Sequence, residues 1–225
     1  MNYNMLNALL IFAKWPEPGR VKTRLSPPLS SHEAAELYRC MLLDTLASTN
    51  AVAGINRMIF FSGGPERSAD FRLLAPDAEV VMQDGENLGE RLSNAFAKAF
   101  SLGYRSVAVI GTDSPHMPVE RIEEAFTVLN EKKADVVFGP SEDGGYYLIA
   151  LNDPQPELLR DIPWSSPETL ARSLEKAEDT GLKAKLLASG FDLDTVRDLH
   201  RLRDESAQPV IAPRTLSFLN RPDAI

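Results

Sequence analysis

The sequence predicts an α/β layered fold with a largely parallel central sheet, on three observations. Short, continuous apolar runs recur through the first two-thirds of the chain, as strands buried on both faces require. Helix-period apolar stripes separate them, so strand and helix alternate. The length, 225 residues, allows a sheet of about six or more strands.

The first apolar run is Ala8 to Ala13, and others follow at Arg57 to Phe61, Glu79 to Met82, Ser106 to Ile110, Asp135 to Gly139 and Tyr146 to Leu151. Between them, Ala34, Leu37, Tyr38, Met41, Leu42, Thr45 and Leu46 share one helical face. So do Leu88, Leu92, Ala95, Phe96 and Ala99, and again Ile122, Ala125, Phe126 and Leu129. After Leu151 the rhythm breaks at Asn152-Asp153-Pro154-Gln155-Pro156. Helical patterns around Leu158 and from Pro167 to Ala177 come next, then a strand-like Lys183 to Leu187 and a helix at Thr195 to Arg203. The tail from Glu205, with Pro209, Pro213 and Pro222, is expected to wrap the surface. The reading is one domain, 1–225, with 204–225 as its C-terminal tail.

Composition narrows the function. Apolar residues make up 44% and charged residues 25%, as in soluble globular chains, which excludes disordered and fibrous classes. Lys and Arg number 24 against 32 Asp and Glu, a net charge of −8, which argues against nucleic-acid and membrane-surface partners. Cys40 is the single cysteine, so no intramolecular disulfide or thiolate metal cage forms, and its neighbours place it in a buried helical position. Met1 to Asn7 lacks the basic region of a signal peptide, and the run Leu6 to Ala13 is too short to span a bilayer, so a cytoplasmic protein without membrane insertion is expected.

In open parallel sheets ligands bind beyond the carboxyl ends of the strands, and four loops there carry chemistry. The first, Lys14 to Leu25, packs Lys14, Arg20, Lys22 and Arg24 into eleven residues, with Gly19 permitting close backbone approach. It suits a di- or triphosphate but lacks the spacing of a Walker loop. The second follows an apolar strand with Gly111-Thr112-Asp113-Ser114-Pro115-His116, where Asp113 is placed to carry a divalent ion or simply to make a turn. The third, Gly139 to Leu148, contains Asp143-Gly144-Gly145-Tyr146, a tight turn that by itself reads as a hairpin connection and also offers amides and hydroxyls to a polar ligand. The fourth, Phe191-Asp192-Leu193-Asp194-Thr195, puts Asp192 and Asp194 on one side of an extended segment, unfavourable unless a cation or hydrogen bonds compensate. Thr195 and Asp198 there make a helix cap. The same segment is similar to the nucleophile strand of haloacid-dehalogenase-type phosphatases, but too few residues follow it for their fold.

Taken together and in order, Phe12-Ala13-Lys14, Pro18-Gly19, Val21 to Leu25, Gly111 to Pro115, Gly139-Pro140, Asp143 to Tyr146 and Asp192 to Thr195 resemble the nucleotide-diphospho-sugar transferases of GT-A fold. The nearest subgroup is the small bacterial glycosyltransferase-like proteins related to phospholactate and molybdenum-cofactor guanylyltransferases. The resemblance implies a three-layer α/β/α, Rossmann-like fold with a mostly parallel sheet, and a partner that is a nucleotide or nucleotide-sugar with a small-molecule acceptor. It implies that Lys14, Gly19, Arg20, Lys22 and Arg24 hold phosphates and that Asp113, with Lys22 and Arg24, acts at the reacting centre. Asp113, with Asp194, Asp192 or both, would bind Mg²⁺ or Mn²⁺. Asp84, Asn87 and Arg91 would border the nucleotide, and Asp143, Gly144, Gly145 and Tyr146 the acceptor or sugar. Trp164, in a stretch similar to the family's Trp-Ser-Thr, would stack there or pack. Two features depart from the pattern: the first loop is longer and proline-containing, and no Asp-x-Asp follows the fourth strand. The expected function is a metal-dependent glycosyltransferase, with nucleotidyl transfer the first alternative and a non-catalytic nucleotide-binding module the second. Oligomeric state is not encoded legibly.

Overall fold

In a computed structural model, which describes residues 7–205 and 211–221, the alternating pattern becomes seven strands and seven α-helices. In chain order these are β1 (Asn7–Lys14), α1 (Ser31–Asn50), β2 (Ile55–Ser62), α2 (Arg67–Leu74), β3 (Glu79–Met82), α3 (Leu88–Ser101) and β4 (Ser106–Ile110). Then come α4 (Glu120–Asn130), β5 (Val136–Pro140), β6 (Tyr146–Leu151), α5 (Thr169–Asp179), β7 (Ala184–Leu186), α6 (Val196–Glu205) and α7 (Pro213–Leu219). The sheet order is β3-β2-β1-β4-β6-β5-β7, and only β6 runs antiparallel to its neighbours.

The layers follow from side-chain alternation. From β1, Leu9, Ile11 and Ala13 meet Leu42 and Leu46 of α1, Phe71 of α2 and Ile122 and Phe126 of α4 on one face. Ala8 and Leu10 meet Leu92 and Phe96 of α3 and Ala177 of α5 on the other. Both faces are covered, so β1 reads as an unbroken apolar run, each buried Leu or Ile contributing about 1.5–3 kcal/mol. Ser30 starts α1 with a capping box closed by Glu33, a local signal that fixes where the first loop ends.

β1 pairs with β2 on one side and β4 on the other, so the chain reverses its direction of travel across the sheet between β1 and β4. That switch point leaves a crevice at the strands' carboxyl ends, where the loops after Lys14 and Ile110 lie side by side.

Two expectations need correction. The tail does not merely wrap the surface: Pro213 opens α7, a first-turn position where proline's missing N–H costs nothing, and Leu216, Phe218 and Leu219 bury against Leu37 and Met41 of α1. Cys40, on α1, is half-buried rather than fully enclosed. The eight-residue α2 lies where no helical stripe was read. Met1 to Leu6, Pro209 and Pro222 lie outside the described residues. Among those described, no helix is long and apolar enough to cross a membrane.

Candidate functional site

The chain leaves β1 at Lys14, whose N–H donates to the Tyr38 hydroxyl at 2.9 Å. That hydroxyl shares a 2.8 Å hydrogen bond with Thr112, so one buried tyrosine of α1 ties together the loops after β1 and β4. Burial pushes the Tyr38 phenol up to about 12, which keeps it neutral in this role. Neither Tyr38, read only as an apolar face residue, nor Thr112 was foreseen as a support.

Within the first loop, Gly19 has φ +76, which glycine adopts freely, and Lys22 has φ +47, which lysine does not. This left-handed turn precedes a 3-10 turn, Thr23–Leu25, whose Leu25 is fully buried. The consequence is that the Lys22 side chain points inward, only 4% exposed. Its ammonium touches the Asp113 carboxylate and lies 2.8 Å from Asp194 Oδ1. Burial alone would lower the lysine pKa, but the charges and hydrogen bonds of Asp113 and Asp194 together drive it up. Arg24 reaches Asp194 Oδ2 at 3.6 Å from a side chain 73% exposed. Lys14 and Arg20 are also exposed, and among the described residues neither forms an ion pair recorded within 4 Å. Acids far apart in the chain and the cation-rich first loop therefore converge at the switch point.

The acidic doublet divides its labour. The backbone N–H of Leu193 donates to the Asp113 carbonyl at 2.9 Å, docking the segment beside β4 while the Leu193 side chain is fully buried. Asp194 turns to Lys22. Asp192 accepts hydrogen bonds from Ser114 and, at 3.1 Å, from Ser141. Burial pushes the Asp192 carboxyl up to about 6, the Ser114 bond opposing it. Hydrogen bonds thus compensate one carboxylate and a cation the other. A cavity of about 80 Å³ lies beside them, lined in part by Gly111, Asp113, Ser114, Tyr147 and Asp192. A Cβ at Gly111 would meet nothing closer than 3.9 Å, so the backbone there stands open.

Other candidates are used structurally. Asn87 caps α3 by accepting from the Glu90 N–H at 3.0 Å, Arg91 Nε donates to the Gly85 carbonyl at 2.9 Å, and the Asp84 carbonyl accepts from Asn94. Asp143 accepts the Gly145 N–H at 2.9 Å in an Asx turn. Gly144, at φ +89, backs onto Pro167: a Cβ there would stand 2.1 Å from the Pro167 carbonyl oxygen. Tyr146 packs on Phe138 and Trp164, with its hydroxyl buried beside Ser173, and burial raises its pKa. Trp164 also closes on Gly89, where a Cβ would lie 2.6 Å from the indole nitrogen. Packing, the plainer of the two readings of Trp164, is what the geometry displays. His116 lies against Phe191 with ring centroids 4.2 Å apart, and Arg201 covers that ring from 3.9 Å. Burial holds the imidazole down to about 4.

Among the described residues no group of three or more His, Cys, Asp or Glu side chains is arranged to hold a metal. Asp113 and Asp194 do supply hard oxygen donors to one point, now filled by the Lys22 ammonium. Magnesium commonly takes one or two protein carboxylates and completes its shell with water and phosphate, so the donor set fits.

The family model described as "Uncharacterized protein conserved in bacteria (DUF2064)" matches residues 45–166. A protein of Desulfovibrio desulfuricans G20, assigned by name to the nucleotide-diphospho-sugar transferases, is 30% identical over 94% of each chain, with TM-score 0.85. A 4-diphosphocytidyl-2C-methyl-D-erythritol synthase from Anaerococcus prevotii DSM 20548 is 10% identical over 97% of each chain, with TM-score 0.58. A CMP:2-keto-3-deoxy-manno-octonic acid synthetase complexed with CTP is 15% identical over 88% of this chain and 97% of its own, with TM-score 0.51. The last two likenesses concern the fold alone. No curated protein sequence matches the chain.

Proposed function

This chain belongs to the bacterial DUF2064 family, and from that membership and the site's geometry we propose that it is a nucleotide-diphospho-sugar transferase acting on a small acceptor. The observation that carries the reading is the meeting of Lys22, Asp113 and Asp194 at the switch point, flanked by exposed Arg20, Lys14 and Arg24. The name borne by the 30%-identical relative supports a sugar donor.

In this proposal Lys14, Arg20 and Arg24 bind the diphosphate through charge-assisted hydrogen bonds, and the open backbone at Gly111 admits it closely. Asp113 and Asp194 would hold Mg²⁺ or Mn²⁺, which when bound supplies positive charge against the departing phosphate. The rest of the site positions: Tyr38 fixes both phosphate-side loops, and Asp192, through Ser114 and Ser141, fixes the loop after β4 against the β5–β6 turn. The acceptor attacks sugar C1 and the nucleoside diphosphate leaves. Gly144, Gly145 and Tyr146 border the acceptor chiefly by shaping that turn, since the Gly144 backbone and the Tyr146 ring are already packed.

The density of cations in the first loop favours a second reading, nucleotidyl transfer, in which a triphosphate is attacked at its α-phosphorus and pyrophosphate leaves. Incubation with Mn²⁺ and panels of NDP-sugars and NTPs separates the two by the product released, nucleoside diphosphate or pyrophosphate. Nucleotide binding without turnover would identify a non-catalytic module. If neither nucleotide class binds, and Asp113→Ala leaves thermal shifts with Mn²⁺ and nucleotide unchanged, the proposal fails.

A further inference from the structure

The Lys22 ammonium stands where a cation shared by Asp113 and Asp194 belongs, and it is held there by construction. The left-handed turn at Lys22 and the buried Leu25 just beyond it commit the side chain inward, and its two carboxylate partners come from loops 91 and 172 positions away along the chain. A divalent ion cannot share those oxygens with an ammonium in contact with both, because like charges at that separation repel strongly in a partly buried site. Release of the ammonium requires only a rearrangement of its stem: four flexible methylenes carry the charge, and its ion pairs are those with the two carboxylates. Arg20 and Arg24 lie close by in sequence, exposed, where an arriving polyphosphate would be met first.

We infer that Lys22 is a resident stand-in for the metal ion, which closes the Asp113–Asp194 pair to free divalent cations and yields it only when a cation arrives with a nucleotide. Charge is conserved at each stage. Without ligand, the ammonium lies between the two carboxylates and the exposed Arg24 guanidinium stands 3.6 Å from Asp194 on its far oxygen. With ligand, the carboxylates face a divalent ion and the ammonium moves to phosphate oxygens. Closure of the pair stands on the geometry alone, whereas the handover rests on the transferase reading.

Binding of Mn²⁺ followed by electron paramagnetic resonance tests this without any turnover. With Mn²⁺ alone, Lys22→Met should bind at least about tenfold more tightly than the unaltered protein, because the competing charge is gone while the stem's bulk remains. Lys22→Arg should show no such gain, and Lys22→Met combined with Asp113→Asn should lose it. Affinity of Lys22→Met within about twofold of the unaltered protein overturns the inference. So does tight Mn²⁺ binding by the unaltered protein alone that Asp113→Asn abolishes, a measurement that does not need Lys22→Met to fold. Added CTP, GTP or NDP-sugar should strengthen Mn²⁺ uptake by the unaltered protein more than by Lys22→Met. If no nucleotide has any effect while the Mn²⁺-only gain is present, the transferase reading and the handover fall, and the closure stands.

Discussion

Two buried groups near the site respond to pH in opposite senses. Asp192, pushed up to about 6 by burial, binds its proton more readily when the chain is folded. Its contribution to stability is complete below the ordinary carboxyl value of 3.8 and is lost as pH rises through about 6. His116, held down to about 4 by burial, contributes fully above its ordinary 6.5 and loses that contribution as pH falls through about 4. Each slope is at most about 1.4 kcal/mol per pH unit, and between pH 4 and 6 they oppose one another. Urea denaturation should therefore show stability rising more steeply over that window in Asp192→Asn than in the unaltered protein, and less steeply in His116→Phe. Equal slopes in all three proteins would refute both assignments. Residue identity revealed the charges here but not their partners. The first loop announced itself because four cations in an acidic chain need an anion. That Lys22 turns inward while Arg20 turns out depends on a left-handed φ at a lysine, which no local pattern announces. His116 was unreadable for a similar reason: its fate is decided by Phe191, which packs on it from a distant loop.

Between elements, Asp44 is a fastening of several hydrogen bonds. Its carboxylate, 1% exposed on α1, accepts hydrogen bonds from the Arg214 and Thr215 N–H groups at 3.2 and 2.8 Å, the Arg214 guanidinium at 3.2 Å and the Thr215 hydroxyl at 2.8 Å. This single side chain caps the start of α7 and pins it to α1. Asp44→Ala should cost about 3–5 kcal/mol, since it strands buried donors, and hydrogen exchange should show α7 opening first. Gly144→Ala should cost about 2–4 kcal/mol by forcing a methyl into the Pro167 backbone at a positive φ, read as a lowered melting temperature. The long elements were legible because their apolar periodicity survives burial on a known face. The short α2 buries Phe71 alone and carries Leu73 in solvent, so its sequence holds no stripe to find. The α7 helix was hidden behind prolines, which mark a breaker in isolation but a first helical turn once a partner surface exists.

For the whole molecule, the three-layer order was readable from continuous apolar strands, and the reversal of β6 only from the hairpin turn that Asp143-Gly144-Gly145 offers. A buried central strand looks the same in either direction, and only the short Ser141–Gly145 turn joining β5 to β6 settles it. In the proposed function that arrangement separates recognition from stability, because the exposed cations Lys14, Arg20 and Arg24 lie outside the apolar clusters. Arg20→Glu should weaken nucleotide binding by about tenfold or more while moving the melting temperature by less than about 2 °C. Comparable losses in both measurements would show that the loop is part of the scaffold. The fastening at Asp44 also has a bearing on biosynthesis. Its partner in α7 lies 170 residues further along, so a growing polypeptide emerging from the ribosome carries the outer flank of α1 bare until those intervening residues and α7 have been made. Leu25 and Leu29, which anchor the first loop, belong to the cluster that α7 completes, and so the nascent site takes its final shape only after α7 has been made.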